Sequence, residues 1–201
     1  MSTLPDTPAD TGALAGADAA YERSDDALVR AARVGDEDAF GEIVERYGPG
    51  MLRYAQRLMN GSETDAAEVT QEALISAWRS LESFAGHSSL KTWLFRLVHR
   101  RAADQLRRRR ATPIDDALLS RMVKPAADNP LQHVLDQELL GALQQALSEL
   151  PWHQRATWLL REVEGLSYDE IAATLSMPVG SVRGHLYRGR RTLAERMARW
   201  R

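Results

Sequence analysis

The sequence predicts an all-α protein in which two small helical domains are joined by a flexible linker. Apolar residues recur at helical spacing along most of the 201 residues, and no stretch of alternating β-branched residues predicts a strand. Prolines interrupt this pattern between residues 111 and 130, which separates two periodic blocks. The expected organisation is therefore a tail at 1–23, a domain at 24–110, a linker at 111–130 and a second domain at 131–201.

The first block begins with three expected helices. The tail before it is rich in Ala, Asp, Thr, Pro and Gly and lacks an apolar period, so we expect it to be disordered. Ser24 can cap the first helix, and Gly48-Pro49-Gly50 is expected to end the pattern. A second helix is expected from about Met51 to Met59, and a third from about Thr64 to Leu81.

The fourth helix, from about Leu90 to Arg110, follows a polar loop at residues 85–89 and has the clearest pattern in the chain. Its apolar residues fall at i, i+3, i+4, i+7 and i+8, which predicts one buried side. These residues are Leu90, Trp93, Leu94, Leu97 and Val98. Arg96, Arg100 and Arg107 project from the opposite side, so the helix is expected to present a cationic surface.

After the linker, which can hold one short helix at 115–122, the pattern predicts a helix-turn-helix. Helices are expected at about 131–150, 152–163, 168–175 and 179–198. Ser167 and Glu170 have the spacing of a capping box at the start of the third of these. Ser181 can help to cap the last one, which is long and basic.

Composition excludes several functions. The chain has no cysteine, so disulfides, a cysteine nucleophile and thiolate metal sites are excluded. Its five histidines have no metal-ligand spacing, and no hydrolase or phosphate-loop motif occurs. We expect no catalytic residues, no metal and no cofactor. An acidic N-terminus without a signal peptide, and the lack of a long apolar run, predict a cytoplasmic protein without membrane insertion.

The net charge of −2 conceals two basic blocks. Residues 91–110 hold eight bases and one acid, and residues 181–201 hold seven bases and one acid, whereas residues 1–50 hold eleven acids and four bases. Two such blocks indicate two contacts with a polyanion, although solvated helix faces explain the charge equally well. The basic second helix of a helix-turn-helix suits the DNA major groove, which favours DNA binding over a purely structural hairpin. For Trp93, core packing is favoured over base stacking.

Two motif blocks resemble the extracytoplasmic-function (ECF) sigma factors of bacterial RNA polymerase. Residues 65–110, DAAEVTQEALISAWRS followed by the loop and TWLFRLVHRRAADQLRRRR, resemble region 2 of that family. Residues 146–193, with LPWHQR, EGLSYDEIA and PVGSVRGHLYRGRR, resemble region 4. Gly184, His185 and Gly189 replace a common Ser, Arg and Ala. Each glycine weakens the helix by up to ~1 kcal/mol relative to Ala.

The resemblance implies three binding surfaces. The third helix would contact the clamp coiled coil of core RNA polymerase through Asp65, Glu68, Gln71, Glu72, Trp78 and Arg79. The polymerase flap would be a second contact. Region 2 would bind the promoter −10 element through Gly86, His87, Ser88, Ser89, Lys91, Arg96, His99, Arg100 and Arg107. Region 4 would bind the −35 element. Its base readers would be Arg183, Tyr187 and Arg188, with Gly184 and His185 on the same side of the helix. Its phosphate contacts would be Arg155, Ser167, Ser181, Arg190 and Arg191.

The resemblance also implies a promoter-specificity subunit that is held inactive by an anti-sigma protein. The twenty-residue linker could span up to ~65 Å as extended chain, enough to separate two promoter elements. The alternative function is a stand-alone helix-turn-helix regulator that binds DNA without polymerase. That alternative predicts a sensor or dimerisation domain in the first block, whose pattern shows neither.

Overall fold

The computed structural model describes residues 23–111 and 132–200, and every regular element in them is helical, which confirms the all-α prediction. The α-helices are α1 (Asp25–Arg33), α2 (Glu37–Leu58), α3 (Glu63–Ser80), α4 (Leu90–Ala111), α5 (Gln132–Ser148), α6 (Trp152–Trp158), α7 (Tyr168–Leu175) and α8 (Val179–Arg196). A π-helical turn at Leu159–Val163 follows α6. The tail through residue 22 and the linker, including the short helix expected at 115–122, lie outside the described residues.

Local capping determines where several helices begin. Ser24 accepts a hydrogen bond from the amide of Ala27 at 3.3 Å, as predicted. Asp36 and Ser62 act in the same way at the starts of α2 and α3. The predicted capping box is present, because the Glu170 amide donates to Ser167 Oγ at 3.2 Å and the Ser167 amide donates to Glu170 Oε2 at 2.9 Å. Ser181 lies inside α8, which starts at Val179, so its expected capping role was wrong.

The predicted break at Gly48-Pro49-Gly50 was also wrong, because α2 continues through it. The chain bends instead at Gly35, whose φ of +91° suits a residue without Cβ. Gly50 is buried, and a Cβ there would lie 3.5 Å from the ring of Phe95. Packing of α2 against α4 therefore outweighs the weak helix propensity of this tripeptide.

The first domain is a four-helix bundle built around α4. Leu94 and Val98, on the predicted apolar side of α4, are fully buried between α2 and α3, and so is Phe95, which the predicted pattern did not include. Tyr54 of α2 packs on Phe95, with ring centroids 5.5 Å apart. The buried area that these residues share is the main source of the bundle's stability.

The second domain is the helix-turn-helix, in which α8 packs on both α6 and α7, and α7 also contacts the π-helical turn that follows α6. Ile171 and Val182 are fully buried where α7 meets α8. Gly189 lies where α8 crosses α6, and a Cβ there would lie 3.4 Å from the Gln154 carbonyl oxygen. The small residue therefore permits close helix packing.

The two domains pack against each other, with α7 on α4 and with α5 and α6 on α2. None of the helices in the described ranges is long and apolar enough to cross a lipid bilayer.

Replacing Leu94 by Ala should destabilise the protein by about 2–5 kcal/mol, because it leaves a cavity at the centre of the first domain. Urea unfolding followed by circular dichroism measures this loss. The control is Leu140→Ala on α5, whose side chain is 61% exposed and whose loss should change stability by less than about 0.5 kcal/mol. Similar losses in the two variants would contradict the packing described.

Candidate nucleic-acid interface

The outward side of α8 forms a cationic surface at the end of the second domain. Its exposed residues are Ser181, Arg183, Tyr187, Arg188, Arg190 and Arg191, with Gly184 and His185 half-buried among them. Tyr187 is 69% exposed, which is unusual for an aromatic side chain without a partner surface. Helical spacing places these donors side by side, as a helix in the major groove requires.

Acidic neighbours hold two of these arginines only weakly. Arg190 donates to Glu162 at 2.9 Å, and Arg191 donates to Glu195 at 3.0 Å. Exposed ion pairs of this kind contribute about 0–1 kcal/mol, so a DNA phosphate can replace the carboxylate at little cost.

Tyr168, at the start of α7, and Arg161 extend this surface, and neither residue was among those predicted from the sequence. The guanidinium groups of Arg161 and Arg183 lie 5.1 and 5.6 Å from the centre of the Tyr168 ring. These cation–π contacts orient Arg183 and place Arg161 beside it, near the exposed Ser167. In the sequence, Arg161 and Arg183 lie on either side of the SYDE segment at residues 167–170. They come together only because the folded chain places both beside Tyr168.

His185 lies beside Arg188 in the middle of the α8 surface. Partial burial, followed by the charges of Arg188 and His153, lowers the pKa of His185. The imidazole is therefore neutral at pH 7 and can accept as well as donate a hydrogen bond.

Arg155 does not lie on this surface, contrary to the prediction of a phosphate contact. Its side chain is 6% exposed and donates to the carbonyl oxygens of Leu58, Ser148 and Leu150 and to the Asn60 side chain. The position is buried because α6 docks on the end of α2. In this arrangement the guanidinium joins the two domains instead of facing solvent.

The loop at 85–89 and the outer side of α4 form a second polar surface. Gly86 has a φ of +72°, which a residue without Cβ adopts readily. Gly86, His87, Ser89, Arg100 and Arg107 are exposed, whereas Ser88, Lys91 and Arg96 are half-buried. Trp93 is half-buried and packs on Phe84 at 5.0 Å between ring centroids, which agrees with the packing role favoured for it.

His99 is absent from this second surface, contrary to the prediction. It is buried between the domains, with Nδ1 3.1 Å from the Tyr54 hydroxyl and its ring 5.5 Å from that of Trp152. Burial, with a smaller contribution from the charge of His153, lowers the pKa of His99 to about 4. The side chain is therefore neutral at pH 7 and belongs to the domain interface.

A groove of about 800 Å³ between α2 and α3 brings together some of the predicted polymerase contacts. Gln71, Trp78 and Arg79 line it, together with the apolar residues Phe40, Leu52, Leu74 and Ile75. Trp78 is 39% exposed and packs edge-on against Phe40 at 4.9 Å between ring centroids. The groove is an exposed apolar surface of the kind that binds other proteins.

The other three predicted polymerase contacts lie towards α4. Asp65 is buried and accepts from Arg109 and Gln105, so it holds α3 to α4 instead of facing a partner. Glu68 is exposed and also accepts from Gln105, at 3.2 Å. Glu72 is half-buried and lies 3.8 Å from Arg101.

Comparison with known families accounts for both domains. The Sigma-70 region 2 model matches residues 43–112, and the Sigma-70 region 4 model matches residues 140–193. The ECF RNA polymerase sigma-E factor of Haemophilus influenzae is 32% identical over 186 residues, which cover 89% of this chain and 97% of that protein. The chain belongs to the ECF sigma factors. The Escherichia coli K12 sigma-E factor is 34% identical over 85% of this chain and 92% of its own length.

Two solved structures resemble this ECF sigma factor. One is CnrH in complex with the cytosolic domain of CnrY, with a TM-score of 0.62 and 26% identity over 84% of this chain and 93% of that one. The other is the sigma factor RpoE of Bartonella quintana in complex with the anti-sigma factor NepR, with a TM-score of 0.63 and 27% identity over 79% and 96%. The chain is thus a promoter-directing subunit of RNA polymerase with the two-domain fold of its family.

The low pKa of His99 makes the stability of this sigma factor pH-dependent. The folded state disfavours protonation, whereas the unfolded chain protonates near the ordinary pKa of about 6.5, so stability is full above that pH and falls as pH drops towards 4. Between pH 7 and pH 5 the loss should be roughly 2 kcal/mol.

Urea unfolding at the two pH values measures this effect, with His99→Gln as the comparison. The variant lacks the titrating group, so its loss between pH 7 and pH 5 should be smaller than that of the wild type by roughly the same 2 kcal/mol. Equal losses in both proteins would show that His99 is not buried in its neutral form.

Proposed function

We propose that the two domains bind separate promoter elements while α2 and α3 hold the polymerase. Residues 131–201 would bind the −35 element as duplex, and residues 24–110 would bind the −10 element and core polymerase. The observation that carries this proposal is the presence on one chain of a cationic recognition helix and an apolar protein-binding groove. A DNA-binding regulator without polymerase needs the helix but not the groove.

At the −35 element, α8 would enter the major groove. Arg183 and Arg188 suit guanine edges, and the exposed ring of Tyr187 suits a thymine methyl group. Arg190, Arg191 and Ser181, with Ser167 at the start of α7, would contact phosphates. Arg161 is a better candidate for a phosphate contact than Arg155, since it lies beside Arg183 while Arg155 is buried.

At the −10 element, the loop at 85–89 would accept an unstacked base and α4 would hold the backbone. Extrusion of a base costs a few kcal/mol, which contacts in a snug site must offset. Gly86 allows a close approach of the backbone, and His87, Ser88, Ser89 and Lys91 supply donors. Arg100 and Arg107 lie farther along the exposed side of α4, where they would neutralise phosphates. Arg96, which precedes them on the helix, is half-buried.

The groove between α2 and α3 would accept the clamp coiled coil of the polymerase. A helix laid in such a groove would bury the apolar rim around Trp78 and place Gln71 and Arg79 against its polar side. The polymerase flap would contact the second domain, where Leu139 and Leu140 are exposed on α5. The chain would act in the cytoplasm as a binding subunit without catalysis of its own.

An anti-sigma protein would control this activity by covering the same surfaces. Support comes from the two solved relatives, each of which is in complex with a protein partner, named an anti-sigma factor in the second. The exposed apolar groove and the cationic side of α8 are the surfaces that such a partner would cover.

Transcription in vitro with core polymerase and a pool of random promoters tests the proposal. New start sites that share a −35 and a −10 motif are expected only when this chain is added. If the chain binds duplex DNA but yields no new transcripts, it is a stand-alone regulator and the proposal fails.

Replacing Trp78 by Ala should weaken binding to core polymerase by at least about tenfold, because a central aromatic anchor is lost. Fluorescence titration of the labelled chain with core polymerase measures the affinity. Val34→Ala is the matched control, since Val34 is 86% exposed but does not line the groove. Equal affinities of the two variants would place the polymerase elsewhere.

Replacing Arg183 by Ala should reduce discrimination among −35 sequences by about 1–3 kcal/mol, that is, about five- to 150-fold. Arg191→Ala should instead weaken binding to all sequences alike and reduce the slope of log affinity against log salt by about one. Binding to a library of −35 duplexes at several salt concentrations measures both effects. A uniform loss for Arg183→Ala would make it a phosphate contact.

A further inference from the structure

Acidic side chains of the second domain contact the surface proposed for the −10 strand. Glu170 Oε1 accepts hydrogen bonds from Ser89 Oγ at 3.1 Å and from Thr92 Oγ1 at 3.0 Å. Lys91 Nζ donates to the Glu164 carbonyl oxygen at 2.5 Å and lies 3.7 Å from Glu164 Oε2. Two of the residues proposed to bind DNA, Ser89 and Lys91, are therefore engaged by the other domain of the same chain.

In these contacts the carboxylate and carbonyl oxygens occupy the place that the oxygens of a DNA phosphate would take. Two hydroxyl groups and one ammonium group are donors that protein surfaces offer to a nucleic-acid backbone. The Glu170 carboxylate presents one oxygen to the hydroxyl pair, while its other oxygen accepts the Ser167 amide. These hydrogen bonds, of which that from the Ser167 backbone contributes most, lower the pKa of Glu170, so the group is anionic at neutral pH.

Other contacts hold the domains together away from the DNA-binding surfaces. Arg155 donates to the Leu58 carbonyl oxygen at 3.1 Å and to the side chain of Asn60, in the turn that ends α2. Trp152 lies against His99 on the same side. These contacts keep α7 on α4 and so keep the two acidic residues over the loop.

The packing of α7 on α4 is the closed arrangement of the two domains, and Glu164 makes it less stable. Its side chain is only 7% exposed, Oε1 has no hydrogen-bond partner within the described residues, and the ion pair of Oε2 with Lys91 is long. A buried carboxylate that is incompletely paired carries an unrepaid desolvation penalty. A DNA strand that competes for Lys91 would release this penalty, so the closed arrangement is suited to opening.

We propose that Glu164 and Glu170 mimic DNA phosphates and mask the −10 surface in the free chain, so that the domains must separate before region 2 can bind its strand. This proposal rests on the proposed −10 role of Ser89 and Lys91. It makes the free sigma factor a weak binder of single-stranded DNA, and it requires no second protein.

The test compares full-length chains in which the domain distance and DNA binding are both measured. Because the chain has no cysteine, Arg30→Cys on α1 and Gln145→Cys on α5 accept one nitroxide each at exposed positions. Double electron–electron resonance gives their distance. Fluorescence anisotropy with a labelled random-sequence single-stranded decanucleotide, at low salt, gives the affinity.

The main variant is E164Q/E170Q, which keeps the size of both side chains and the capping-box geometry but removes both charges. We expect a shift of the nitroxide distance to longer values and an increase in strand affinity of at least threefold. Asn60→Gly is the second variant. Its left-handed φ of +56° suits Gly, and it removes a partner of Arg155 without changing any charge. It should produce the same two shifts.

The charge-matched control is D38N/E45Q, which alters two exposed acids on α2 outside the interface and should leave the distance unchanged. An equal gain in affinity for this control would overturn the proposal, because general charge would then explain the effect. Adding Lys91→Ala to E164Q/E170Q should abolish most of the gain, since the strand must use the unmasked ammonium group; a gain that persists would overturn the masking.

The remaining outcomes separate masking from the −10 assignment. If the nitroxide distance is unchanged in both E164Q/E170Q and Asn60→Gly, these contacts do not hold the domains closed and the proposal fails. A longer distance without a gain in affinity overturns the masking alone if the wild-type chain still binds the strand. If no variant binds the strand, the masking and the −10 role both fail.

Discussion

The burial of one side of α4 is the constraint on which the rest of the molecule depends. Leu94, Phe95 and Val98 occupy the centre of the first domain, and their packing fixes the rotation of the helix about its axis. Because the rotation is fixed, the loop before α4 and its exposed arginines face one direction, and α7 docks beside them. Core packing thus positions both the candidate DNA surface and the domain that covers it.

The charged residues form two groups, exposed and buried, that differ in what it costs to lose a partner. The arginines of α8 make exposed pairs that a phosphate can replace at little cost. Arg155 and Asp65 are buried with their partners, so loss of either partner leaves an uncompensated group and is expensive. The first group is suited to exchange between protein and DNA, whereas the second group maintains the structure.

The domain interface contains two further titratable side chains. It buries His99 in its neutral form and Glu164 as an incompletely paired acid, and neither arrangement is as favourable as an apolar contact of the same size. In the proposed function, the two domains separate to bind two promoter elements. An interface that buries unfavourable groups separates more easily than one that is optimally packed.

Local pattern alone determined the helical class, the amphipathic α4, the capping box at Ser167 and the cationic side of α8, because each depends on residues within a few turns of one another. Only the tertiary structure decided the fate of Arg155, His99 and the Gly48-Pro49-Gly50 segment. Each of these meets a distant element: Arg155 meets the end of α2, His99 meets Trp152, and Gly50 meets Phe95. Helical periodicity shows which residues share a side of a helix, but it cannot show which side another domain will cover.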